Sequence, residues 1–161
     1  DISSKSPKTL KDAVLFRENA KHDGKTFVLT NGCFDLLHYG HVESLTQAAA
    51  FGDYLWVAMN SDSSVRALKG IDRPIIPENE RAYLLNSLNC ISGVTLFENE
   101  RLTEEILALQ PDVYVKSSDY TVDSIDPEEK KALMSVNASL KFVPFIAGHS
   151  TSSLIERIKT L

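Results

Sequence analysis

His38 and His41 stand three residues apart in the run Asn31-Gly32-Cys33-Phe34-Asp35-Leu36-Leu37-His38-Tyr39-Gly40-His41. If a helix starts here, that spacing projects both imidazoles from one face. A helix N-terminus offers unpaired N–H groups and a partial positive charge, which suit a phosphate. Two imidazoles beside it can donate hydrogen bonds to phosphate oxygens that gain charge in a transition state. Gly32 has no side chain and lets backbone approach a ligand closely. Gly40, at the helix start, does the same for a nucleotide lying across it. Plainer readings exist. One histidine can be a surface residue and the other a satisfied core group, and Asp35, His38 and His41 are also spaced as metal ligands would be on a helix. The position of the run between a buried strand and a helix favours phosphate chemistry.

The elements around the run support that position. Residues 26–30 are β-branched and aromatic, as in a buried strand, and apolar positions from Tyr39 to Phe51 repeat with helical spacing up to Gly52. The same reading predicts strands over 54–59, 93–97, 112–116 and 141–145. It predicts helices over 9–20, 39–51, 65–68, 78–89 and 102–109, one from Pro127 to about Val136, and a last one capped by Ser150 or Thr151. Residues 1–6 read as loose, 69–77 and 117–125 as loops. Strands alternating with helices predict an α/β, three-layer Rossmann-like fold with a central parallel sheet. The chain is expected to be one domain over 1–161, with an N-terminal extension and helix over 1–25. Ligands of such sheets sit beyond the carboxyl ends of the strands, where the strand order switches. That directs attention to residues 31–41, 60–73, 116–120 and 147–151.

Composition narrows the function classes. The 161 residues are 43% hydrophobic and 24% charged, as in an ordinary soluble globule. A formal charge of −5 argues against nonspecific binding of nucleic acid or an anionic membrane. Cys33 and Cys90 lie far apart and form neither a disulfide framework nor a metal-ligand pair, as expected of free thiols in a reducing cytoplasm. No apolar run approaches the length of a membrane span, and the first residues do not read as a signal peptide.

The run from Thr30 to His41 resembles the HxGH signature of the nucleotidyltransferase superfamily. Within it, the chain is similar to the cytidylyltransferase-like group and above all to the D-glycero-β-D-manno-heptose 1-phosphate adenylyltransferases. The resemblance covers nearly the whole chain after Thr26 and rests on six ordered blocks: TNGCFDLLHYGH, DYLWVAMNSDSSVRALKG, Arg73-Pro74, Arg81, VKSSDY and GHSTSSLI. It implies that His38 and His41 bind and stabilise the phosphates during transfer, and that Lys69 and Arg81 assist them. It further implies nucleotide contacts from Asn31, Gly32, Cys33, the backbone N–H of Phe34, Gly40, Asn60, Asp62, Ser150 and Thr151. Asp35, Lys116, Ser117, Ser118 and Asp119 would face the acceptor. Taken singly, Lys69 and Arg81 also read as solvated charges, and Ser150 or Thr151 as a helix cap. Ser117 and Ser118 depart from the two glycines usual in the resembled family, which bears on the acceptor more than on the base.

The implied reaction is attack by an acceptor phosphate oxygen on the α-phosphorus of a nucleoside triphosphate, ATP favoured, with release of pyrophosphate. The acceptor would be a phosphorylated sugar or polyol, and Mg2+ would bridge the phosphates. Such chemistry rests on positioning and charge stabilisation, so it needs no protein nucleophile, and Cys33 reads as structural. A CTP-dependent enzyme acting on glycerol 3-phosphate, a non-catalytic nucleotide-binding module and a metal-binding protein are the alternatives. A cytoplasmic location is expected, and a homodimer is left open.

Overall fold

The computed structural model describes residues 2–117, 124–144 and 146–161. Five strands run through it: β1 (Phe27–Gly32), β2 (Tyr54–Asn60), β3 (Gly93–Phe97), β4 (Val113–Ser117) and β5 (Ser139–Val143). Seven α-helices accompany them: α1 (Leu10–His22), α2 (Tyr39–Ala49), α3 (Asp62–Lys69), α4 (Glu78–Asn86), α5 (Thr103–Leu109), α6 (Pro127–Ser135) and α7 (Thr151–Lys159). All four strand pairings are parallel, in the order β3-β2-β1-β4-β5. The expected α/β fold with a central parallel sheet is therefore present. Among the described residues no helix is long and apolar enough to cross a membrane.

The sheet is buried on both faces, which is why β1 and β2 read as nearly continuous apolar runs. On one face Phe27, Leu29 and Trp56 pack against α1, α5 and α6 through Ala13, Ile106, Leu109 and Leu133. On the other, Val28, Leu55, Val57 and Met59 pack against α2 and α4 through Leu45, Ala48, Ala82 and Leu85. Arg17 is buried on α1 and donates to the carbonyls of Leu109 and Gln110, which locks α1 to the end of α5.

The strand order places the site. After β1 the chain moves outward to β2 and β3 on one side, then returns to add β4 and β5 on the other. The switch lies between β1 and β4, where the loops leaving the two strands diverge and open a crevice. The Thr30 hydroxyl donates to the Val115 carbonyl at 2.8 Å and pins the two strand ends together beneath it.

Several boundaries differ from the sequence reading, each for a local reason. The short helix expected over 65–68 begins at Asp62, because the Ser61 hydroxyl accepts from the Ser64 N–H and caps three further residues. The helix from Glu78 stops at Asn86. The last strand starts at Ser139 in register with Val113 and ends at Val143; Phe145, the expected end, lies outside the described residues. Residues 1–6, expected to be loose, include a 3-10 turn over Ile2–Lys5. Asn86 donates to the Lys5 carbonyl at 2.9 Å, and the Lys8 N–H donates to the Val94 carbonyl at 2.7 Å, so tertiary contacts order a polar segment.

Candidate active site

The crevice between β1 and β4 opens into a cleft of about 760 Å³, within the range of ligand sites. Its floor is the end of β1. Its two walls are helix N-termini: α2 and α7 on one side, α5 and α6 on the other.

His38 is the N-cap of α2, and its Nδ1 accepts from the Gly40 N–H at 3.1 Å. His41, three residues on, turns its Nδ1 back to accept from the His38 N–H at 3.3 Å. Backbone donors thus occupy the Nδ1 lone pair of both rings. In the neutral imidazole the proton then sits on Nε2. The rings stack with centroids 3.8 Å apart. The His38 Nε2 is shielded from solvent and has no partner among the described residues. A buried donor without a partner is costly, and a ligand acceptor would satisfy it.

Both histidines are held neutral. Burial lowers His38, and the charge of His149 adds to that. Burial, followed by His38 and Lys69, lowers His41 from 6.5 to about 4. The unfolded chain therefore binds a proton between these values that the folded chain refuses. Stability should fall as the pH drops from 6.5 towards 4, and be unaffected by this group above that window. In an NMR titration of the protein without ligand, His41 is expected to keep its neutral-imidazole shifts down to about pH 5. A midpoint near 6.5 would contradict the burial argument.

The loop before the histidines is shaped by unusual backbone. Phe34 and Leu36 are left-handed, with φ of 52° and 51°. Such residues persist only where surroundings overdetermine them. Asp35 between them is 1% exposed. Its carboxylate accepts from Arg73 Nε at 3.0 Å and from the Ile75 and Ile76 N–H groups at 2.8 and 2.9 Å. Burial pushes the Asp35 carboxyl up, but those hydrogen bonds and the guanidinium hold it below the usual range. Asp35 therefore fastens residues 73–76 to the β1–α2 loop, and both its oxygens are committed. Asp35 also lines the cleft, as its expected part in acceptor binding requires, while these bonds leave its carboxylate turned to residues 73–76. Among the described residues, no group of three His, Cys, Asp or Glu could hold a metal ion.

Arg81 differs most from expectation. It is 1% exposed and does not line the cleft. It donates to the carbonyls of Ile76, Cys33 and Asn60 and to Asp62 Oδ1, at 2.7 to 2.9 Å. One guanidinium thus joins the β1 loop, the end of β2 and the start of α3. Asp62 is occupied by that ion pair, and it too stands outside the cleft lining. Both act on the site by holding its loops.

The remaining expected residues line the cleft: Asn31, Gly32, Cys33, Phe34, Gly40, Asn60, Lys69, Lys116, Ser117, Ser150 and Thr151. Ser118 and Asp119 lie outside the described residues. Burial raises the Cys33 thiol despite nearby Lys69, Arg81 and Arg73, which fits a packed thiol rather than a nucleophile. Lys69 ends α3 and brings a cation to the histidines. Ser150 caps α7 by accepting from the Ser153 N–H, and the Thr151 hydroxyl donates to the Asp35 carbonyl at 2.8 Å. Gly40 has a packing reason as well. A methyl there would sit 2.9 Å from the His149 Cβ and 3.0 Å from its carbonyl oxygen, so residues 146–150 can lie against α2 only without a side chain at this position.

Sequence reasoning missed His149 and the far wall, where Glu100, Arg101, Asp126 and Glu129 line the cleft. The signal for two of them was available. Glu100 and Arg101 follow β3, and the rule that directs attention beyond strand ends applies to that strand as well.

Comparison with known proteins agrees with this geometry. A family model described as cytidylyltransferase-like matches residues 29–157. The bifunctional protein HldE of Geotalea uraniireducens is 46% identical over 87% of this chain and 28% of its own length. That of Helicobacter pylori (strain G27) is 45% identical over 88% of this chain and 29% of its own. The chain thus spans less than a third of these relatives. Among solved structures, the lipopolysaccharide core biosynthesis protein from Thermoplasma volcanium is similar, with a TM-score of 0.63, 27% identity, and cover of 76% of this chain and 98% of that one. With a match over most of its length, a parallel sheet of the right order and paired histidines at the switch point, the chain belongs to the cytidylyltransferase-like family of nucleotidyltransferases.

Proposed function

We propose that this chain transfers AMP from ATP to a sugar or polyol phosphate, with heptose 1-phosphate the acceptor that the sequence resemblance implies. The observation that carries the reading is the stacked pair His38 and His41, with an unpartnered Nε2 beside the N-terminus of α2. Similarity to HldE proteins favours the adenylyl reading over a cytidylyl one.

An acceptor phosphate oxygen attacks the α-phosphorus in line, the bond to the β-bridging oxygen breaks, and pyrophosphate leaves. The two Nε2–H groups donate to α-phosphate oxygens as charge builds there, and being fixed by backbone they need no reorganisation. Lys69 offsets charge on the departing phosphates. The α7 N-terminus supplies N–H groups to the same oxygens, and the α2 N-terminus adds its partial positive charge. Arg81 and Asp35 keep the loops in place. Mg2+, when bound, would neutralise charge on the triphosphate. With no metal-holding group of His, Cys, Asp or Glu among the described residues, the nucleotide itself would have to supply most of its ligands.

The test is pyrophosphate release from each nucleoside triphosphate against a panel of sugar and alcohol phosphates. Release with ATP and a sugar phosphate is expected. Release only with CTP and glycerol 3-phosphate overturns the substrate, and nucleotide binding without any release overturns the enzyme. Lys69→Ala is expected to weaken ATP about 10-fold or more and adenosine hardly at all, because an ammonium pairs with phosphate and not with the base. Calorimetric titration of the two ligands checks this, and equal losses would show that Lys69 acts only through the fold.

A further inference from the structure

The cleft is divided by charge. At the α2 and α7 wall stand Lys69, the neutral histidines and two helix N-termini. The opposite wall is different. Asp126 caps α6 by accepting from the Glu128 and Glu129 N–H groups at 2.9 and 3.2 Å, and its other oxygen accepts from Arg101 Nε at 2.8 Å. Glu129 accepts from the Leu102 N–H at 2.9 Å. Both carboxylates are therefore spent fastening the start of α5 to the start of α6.

Two neighbouring groups that line the cleft keep hydrogen-bonding capacity. Among the described residues the outer edge of the Arg101 guanidinium meets only Glu128, 66% exposed, at 3.7 Å. The Glu100 carboxylate lines the cleft and makes no hydrogen bond among the described residues. Around them, Glu100, Asp126, Glu128 and Glu129 outnumber Arg101 and Lys116. A second anion would be repelled here, whereas neutral hydroxyls can both donate to a carboxylate and accept from a guanidinium. The two walls belong to helices on opposite faces of the sheet. A ligand whose phosphate lies at the histidines reaches Glu100 and Arg101 only if its hydroxyls are carried on a carbon chain that spans the crevice.

We propose that Glu100 and Arg101 determine acceptor specificity by binding the hydroxyls of a polyhydroxylated sugar phosphate, and so select it over a short alcohol phosphate. This rests on the adenylyltransferase reading for the acceptor's role and adds the part of the acceptor that is recognised and the residues that recognise it.

Calorimetric titration with mannose 1-phosphate and glycerol 3-phosphate as probes tests this without turnover. Wild-type protein should bind the sugar phosphate more tightly. Arg101→Ala and Glu100→Gln should each lose about 10- to 100-fold of that affinity, the usual effect of removing a hydrogen bond to a charged group. Affinity for glycerol 3-phosphate and ATP should stay within about twofold. Glu100→Gln breaks no hydrogen bond of the fold, so it separates recognition from any loosening of α6 that Arg101→Ala causes. Equal losses for both probes, no loss for either, or no binding of either by the wild type would overturn the proposal. Discrimination as described without pyrophosphate release would overturn the enzymatic reading and leave this one standing.

Discussion

His38→Ala and His41→Ala are each expected to lower the turnover number about 10²–10³-fold, the usual cost of removing one preorganised donor from a developing oxyanion. The argument rests on where the protons are. Each Nδ1 is occupied by a backbone N–H, so each neutral ring carries its proton on Nε2, and burial keeps both rings neutral. The donors act as a pair because the rings stack at 3.8 Å. His38→Ala also removes the cap on α2, which costs about 1 kcal/mol, a loss that a stability of about 5–15 kcal/mol tolerates. His38→Asn separates the effects, since asparagine can cap the helix yet cannot place a donor where Nε2 stands. Turnover should stay low in His38→Asn while thermal stability returns. Steady-state pyrophosphate release and thermal melts measure both quantities, and near-normal turnover in either alanine variant would remove the histidines from the mechanism.

Arg81→Ala is expected to destabilise the fold by about 3–5 kcal/mol, the range for deleting one partner of a buried, hydrogen-bonded ion pair. The loss is large because four hydrogen bonds disappear together. Three backbone carbonyls, of Ile76, Cys33 and Asn60, lose their donor in a site where water enters poorly, and Asp62 loses its counter-charge. Two of those carbonyls belong to segments that line the cleft, so activity should fall with the population of folded protein and through the disordered β1–α2 loop. Denaturant unfolding monitored by circular dichroism would show the shift in midpoint. An unchanged midpoint with only a raised KM for ATP would instead return Arg81 to the phosphate-binding part that the sequence resemblance gave it.

Arg81 also shows why part of the site was illegible. An arginine on a helix beside a phosphate-binding motif looks the same in sequence whether its guanidinium meets ligand or carbonyls. Only the packing of α4 under the ends of β1 and β2 decides between them. Asp35 is a similar case: three residues before His38 in the chain, yet turned towards residues 73–76, about forty positions away. The far wall was hidden for another reason. Glu100 and Arg101 come from the loop before α5, Asp126 and Glu129 from the start of α6; these segments do not neighbour each other in sequence, and no motif joins them.

What the sequence determined by itself was local and periodic. The apolar runs of β1 and β2 require strands buried on both faces, their alternation with helices requires a parallel sheet, and the spacing of His38 and His41 requires a shared face once α2 forms. Those constraints act over a few residues, so they can be read along the chain. The tertiary structure decided what depends on distant segments meeting: the orphaned Nε2 on His38, the loop-fastening parts of Asp35 and Arg81, and the cleft with Lys69 and the histidines on one wall and Glu100, Arg101, Asp126 and Glu129 on the other. Burial and hydrogen-bond partners arise only when α4 and residues 73–76 pack against the ends of β1 and β2, and the far wall only when β4 adds to the other side of β1 and α6 joins α5, because neither desolvation nor partner geometry exists before those surfaces meet.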